Sequence, residues 1–138
     1  LTPSPIHHQP NNTWALVNKD LIIYTDPTPQ TLTTTLLGVN LTIEATPINY
    51  TWNFADNTPP LTTHNPGAPY PHHTLTHTYQ HTAENITITL TTTWQGQFHI
   101  TGTTTTYPIA ALATTTTTSN PINIIDMTTH LVPNPAPT

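Results

Sequence analysis

The stretch Asn85 to Thr93, NITITLTTT, restricts what this chain can fold into more than any other segment. Ile86, Ile88 and Leu90 alternate with Thr87, Thr89 and Thr91, so an extended backbone sends apolar side chains to one side and hydroxyls to the other. A helix would scatter the same residues around its circumference. The pattern recurs upstream: Val39, Leu41, Ile43 and Ala45 alternate with Asn40, Thr42 and Glu44, which predicts a second strand with one dry face. Further strands are expected over 13–17, 21–24, 32–37, 48–54, 74–79, 97–101, 103–107 and 122–127, with hairpin turns at Gly38 and at Gln95-Gly96. About a quarter of the chain is Thr and 16 residues are Pro, favouring strands over helices. The expected fold is all-β, an antiparallel sandwich of short strands in one domain.

Both ends carry several prolines and no periodicity. Leu1 to Asn12, LTPSPIHHQPNN, reads as an extended Pro-rich strap, and Leu131 to Thr138, LVPNPAPT, has the same character. The expected division is a strap over 1–12, a sandwich over 13–132 and a tail over 133–138. A chain that starts at Leu1 instead of Met reads as a processed or excised segment.

Charge excludes whole classes of partner. Lys19 is the sole Lys or Arg against six carboxylates, giving a formal net charge of −5, with 5% of residues charged where about 25% is ordinary. One Lys cannot build the basic groove that phosphate backbones require, so no nucleic-acid partner is expected. No apolar run approaches the roughly 18 residues of a membrane span, so no membrane insertion is expected. Cysteine is absent, which removes disulfides and thiol chemistry. Low charge with abundant Thr and Pro suits an extracellular or cell-surface setting.

Tyr50 to Asn57, YTWNFADN, concentrates aromatics before a tight turn. Tyr50, Trp52 and Phe54 alternate with Thr51 and Asn53, so a strand can bury all three rings between two sheets, with Trp52 as the core anchor. Ala55-Asp56-Asn57 then forms the corner, where Asp56 can accept nearby N–H groups and Asn57 can take a left-handed conformation. YTWNFADN resembles the W-D-F-G-D-G motif of PKD-type (polycystic-kidney-disease) domains, an immunoglobulin-like β-sandwich family. Thr76-His77-Thr78-Tyr79 and Ile86-Thr87-Ile88-Thr89-Leu90 resemble its H-x-Y and Y-T-V-T-L-x-V segments. Trp14-Ala15-Leu16-Val17, Asn65-Pro66-Gly67-Ala68-Pro69-Tyr70 and Thr91-Thr92-Thr93-Trp94-Gln95-Gly96 resemble a Thr-rich version of the family found in secreted or surface proteins of actinobacteria. Both family glycines of the turn are replaced, by Ala55 and Asn57, and 101–108 lacks the Gly-Gly and Trp of those relatives. The resemblance implies structural roles for Trp52, Phe54, Asp56, His77 and Tyr79, and a spacer or interaction module without catalytic residues.

Side chains that carry chemistry are few. Ser4 and Ser119 stand beside prolines or in a Thr-rich loop with no nucleophile elbow. The carboxylates Asp20, Asp26, Glu44, Asp56, Glu84 and Asp126 fall on different elements. Asp56 with Asn53 and Asn57 is the candidate calcium set, one loop short of a site. His73, His77 and His81 share a strand face as the candidate zinc set, but alternate neighbours stand about 7 Å apart, too far for one ion without a bend. No cofactor is expected. Protonating all nine His would move the formal charge from −5 to +4, since 9 − 5 = 4. Asn11, Asn40, Asn49 and Asn85 begin N-x-T sequons, and 103–106 and 114–118 are candidate O-glycosylation tracts.

The functional expectation is a non-catalytic structural, adhesive or protein-interaction module whose partners are other domains or copies of itself. Strand edges without charges lack the usual guard against stray pairing. An alternative is therefore a self-assembling, pilus-like filament subunit joined by strand exchange. A third reading is a glycan-binding module using Trp14, Trp94 or Tyr70 as stacking platforms.

Overall fold

The computed structural model describes residues Leu1–Met127. The tail expected over 133–138, and the end of the expected sandwich, lie outside them. The described elements are strands: β1 (His7–Gln9), β2 (Trp14–Leu16), β3 (Asp20–Tyr24), β4 (Gln30–Leu36), β5 (Val39–Asn53), β6 (Leu61–Thr63), β7 (Thr76–Thr78), β8 (Ala83–Ile86), β9 (Thr89–Ile100), β10 (Tyr107–Pro108), β11 (Ala113–Thr118) and β12 (Ile122–Ile125). The chain is all-β, built from several sheets around one core.

The large sheet is organised on β5 and β9, antiparallel along nearly their whole length from Leu41↔Ile100 to Asn53↔Thr89. β4 and β6 flank β5 at its two ends, while β10 and β11 flank β9. Two smaller sheets, β1-β3-β7 and β2-β12-β8, supply the opposing side chains. The core draws on all three: Ala15, Leu21, Ile23, Tyr50, Trp52, Phe54, Tyr79, Ile88, Leu90, Ile122 and Ile124. Trp52 is fully buried, as its place in the alternation requires. Its ring is the largest apolar surface in the cluster, and truncating such a residue costs about 3–5 kcal/mol.

The structure corrects several expectations. No hairpin forms at Gln95-Gly96; β9 runs straight through, with Gly96 opposite Ala45 and the Ile109 side chain lying over it. The chain turns later, at Gly102, whose φ is 89°. The expected strand 103–107 contracts to β10, while 113–118 is a strand six residues long. The NITITLTTT segment is divided between sheets: Ile86 pairs with Ile122, and from Thr89 onward the chain pairs with β5 and β11. Antiparallel pairing is not universal either. β2 and β12 run parallel, Asn123↔Trp14 to Ile125↔Leu16, which their wide separation in sequence permits. Within the expected N-terminal strap, His7–Gln9 form β1 and pair with β3. Gly38 does sit in a two-residue turn with Leu37, at φ 78° and 50°, between Leu36 and Val39.

The lengths decide where the core stops. β5 and β9 have 15 and 12 residues, roughly 40–50 Å of strand, whereas β2, β3, β7, β8 and β12 have three to five, roughly 10–17 Å. The short strands cover only the half of the large sheet around Trp52 and Leu90. In the other half, Val39 is exposed and Leu41 and Ile43 are half-buried, so the dry face expected over 39–45 is buried only at Ala45.

Candidate functional site

The corner after β5 gathers the residues to which the sequence points. Asn53 ends the strand and its Oδ1 accepts the Ala55 N–H at 2.9 Å. Ala55 and Asn57 both adopt left-handed backbone, at φ 58° and 64°. Between them Asp56 turns its carboxylate back on the chain: Oδ1 accepts the Thr58 N–H at 3.2 Å and the Thr58 hydroxyl. The second oxygen, Oδ2, lies 2.7 Å from Nε2 of His77 on β7. An ionised carboxylate only accepts, so the imidazole Nε2–H is the donor.

Rings close the corner from the other side. The His77 imidazole stacks on Phe54, with centroids 3.7 Å apart and planes 4° from parallel. Tyr79 meets both edge-on, and its hydroxyl donates to the Phe54 carbonyl at 3.0 Å inside the core. Partial burial by itself would push the Asp56 carboxyl up, but the bonds from Thr58 and His77 together outweigh it and hold the group below its ordinary value. Burial, then the Asp56 charge, push the Tyr79 phenol well up, so it stays a protonated donor.

This geometry joins the end of β5 to β7 and fixes the turn that follows β5. Asp56 uses both oxygens within the corner, and Asn53 uses its Oδ1 there too, so two of the three candidate calcium ligands are engaged in turn-closing bonds. Of the candidate zinc set, His77 holds Asp56, His73 stacks on exposed Tyr70 at 5.8 Å, and His81 is exposed at a bend. Among the described residues no three His, Asp or Glu side chains lie together in a way that could hold a metal ion.

Both serines serve the fold. Ser119 Oγ accepts the Ile88 N–H at 2.8 Å and donates to the Asn120 carbonyl. Ser4 is buried, its Oγ accepting the Thr92 hydroxyl at 2.9 Å and its carbonyl accepting the Thr117 hydroxyl at 2.6 Å. Trp94, offered as a stacking platform, is buried, and its indole N–H donates to Thr115 Oγ1 at 2.9 Å. Trp14 and Tyr70 remain partly or largely exposed. The sequon residues Asn11, Asn40 and Asn85 are exposed, while Asn49 is half-buried with its Oδ1 on the Tyr50 N–H. Thr115 and Thr117 are engaged in β11, and 103–106 is an exposed loop.

Sequence reasoning missed the docking of the strap through Ser4, because prolines on both sides masked it. It also read the Thr run of β11 as a glycosylation tract, although consecutive β-branched residues were a strand signal.

No protein-family model matches the chain, and no significant match is found among curated proteins or solved structures. Among the described residues no helix is long and apolar enough to cross a membrane.

Proposed function

We propose that this chain is a non-catalytic interaction module, an immunoglobulin-like sandwich of PKD type, working as a structural or adhesive domain of a secreted or cell-surface protein. One observation supports it above others. The Asp56–His77 pair, the constellation closest to catalytic equipment, is stacked against Phe54 and bonded into the turn, where it braces one strand against another. An Asp–His dyad serving catalysis instead orients its ring toward a nucleophile and an open substrate position. The exposed Thr-rich sheet beyond the core offers contact area to other domains or further copies of the chain.

Two measurements test the proposal. Antibody against the folded domain should label intact producing cells or their medium; label appearing only after permeabilisation would refute the location. Purified chain should turn over no substrate in a panel of esters, peptides, glycosides and phosphate esters. Turnover abolished by Asp56→Asn in a protein that remains folded would refute the non-catalytic reading.

A second reading, a filament subunit joined by strand exchange, is favoured by the seating of Ser4 between Thr92 of β9 and Thr117 of β11. A neighbouring copy's strap could fill the same slot. Deleting residues 1–12 should then abolish assembly, and intact fibres from that truncation would dispose of the idea.

A further inference from the structure

Beyond the core, β4, the first half of β5, the second half of β9 and β10 continue as a sheet with a one-sided distribution of apolar groups. Paired residues share a face, so the register places Leu32 with Ile43 and Phe98, Leu41 with Ile100, Leu36 with Val39, and Tyr107 with Phe98. Tyr107 and Phe98 stack at 5.3 Å. The opposite face carries Thr31, Thr33, Thr35, Thr42, Glu44, Gln97 and His99. None of these apolar residues belongs to the core cluster or to the hydrophobic side chains packed against it. Leu36 is 61%, Tyr107 46%, Ile100 43% and Val39 42% exposed. At the tip, Leu37 is 96% exposed and in left-handed backbone at φ 50°, a position where Asn or Gly would be less strained.

We infer that this distal face docks against the same face of a second copy of the chain, forming a two-fold symmetric dimer by sheet-on-sheet packing. The inference rests on the interaction-module reading and names its partner. Charge favours a copy: the face carries no ionised side chain, so two copies meet without like-charge opposition although each carries a formal charge of −5. A charged partner would find nothing to pair with there. Size limits how strong the contact is. Three to four strands at about 4.8 Å spacing and seven residues at about 3.4 Å give a footprint of about 340–460 Å² per copy. A stable specific interface needs about 800 Å² per partner, so this one supports a weak, concentration-dependent dimer. Packed two-fold, each copy's exposed Leu36, Val39 and Ile100 would enter the space between two sheets about 10 Å apart.

Sedimentation velocity on the full chain tests this, from about 1 μM to about 500 μM, the range that such an interface should span. The mass should rise toward dimer across the range. Leu36→Lys, at an exposed position that should leave folding intact by circular dichroism, should weaken association at least tenfold, and Val39→Lys should do the same. A chain with Ser4→Cys and Thr92→Cys, its strap locked in place by a disulfide, should associate like the unmodified protein, which separates this dimer from strand exchange. A monomer at every concentration, unchanged association of both folded lysine variants, or loss of association in the locked chain would each overturn the proposal. Binding of the monomer to neutral lipid vesicles through the same residues would overturn it as well. None of these results bears on surface labelling or on the substrate panel, so the module reading stands or falls separately.

Discussion

Replacing Ala55 by glycine should stabilise the protein. Ala55 holds φ 58°, where a Cβ crowds the neighbouring carbonyl at a cost of about 1–2 kcal/mol. Glycine has no such cost but loses about 0.4–1 kcal/mol more backbone entropy on folding. The side chain is exposed, so its removal forfeits no core packing, and the N–H that Asn53 holds at 2.9 Å is retained. The difference is a gain of about 0.5–1 kcal/mol, or about 2–4 °C in Tm for a domain of this size. Asn57→Gly is the control: asparagine tolerates φ 64°, so the shift should stay within about 0.5 kcal/mol. Thermal melts followed by circular dichroism, with urea titrations for ΔG, measure both. An Ala55→Gly protein with unchanged or lower stability would refute the left-handed corner and with it the way Asp56 is aimed at His77.

Other predictions follow the same logic. Gly67→Ala should cost at least about 2 kcal/mol by urea titration, because a Cβ there would stand 2.6 Å from the Ile23 carbonyl oxygen at φ 77°. Tyr79→Phe should cost about 1–2 kcal/mol, since it leaves the Phe54 carbonyl in the core without its donor. The Asp56 carboxyl is held below its ordinary 3.8, so its contribution is full above that value and disappears as pH falls through the lower folded value. Asp26 is also lowered, chiefly by its bonds from Thr28, and acts in the same window. Urea midpoints should therefore fall between about pH 5 and pH 2, less steeply in Asp56→Asn. Leu37→Asn should raise stability by about 1 kcal/mol, measured by thermal melts, by relieving left-handed strain in a side chain that touches little.

What was legible in the sequence was local. Alternation marked Trp52, Ile88 and Leu90 as core because period two depends on neighbouring residues alone, and the turn at Gly38 was legible from a residue tolerant of positive φ. The turn-closing bond of Asp56 was legible from its place in the corner, the roles of His77 and Tyr79 rest on a resemblance in motif, and the structure brings those three side chains together. Long-range facts were not legible. Gly96 read as a turn because nothing nearby announces that Ala45 faces it across the sheet. Leu41 and Ile43 read as core because alternation says which residues share a face, not whether another sheet is long enough to cover it. Ser4 drew no structural prediction, since its partners Thr92 and Thr117 lie far along the chain.

Amide hydrogen exchange at low and high protein concentration tests the central claim, one long sheet with a covered half and an open half that meets its copy. The amides of Tyr50–Asn53 and Leu90–Thr92 should be strongly protected at both concentrations, while those of Leu41–Ile43 and Phe98–Ile100 should exchange faster in dilute solution and slow as concentration rises. Equal, concentration-independent protection along the whole of β5 and β9 would contradict the account, as would slowing confined to His7–Gln9.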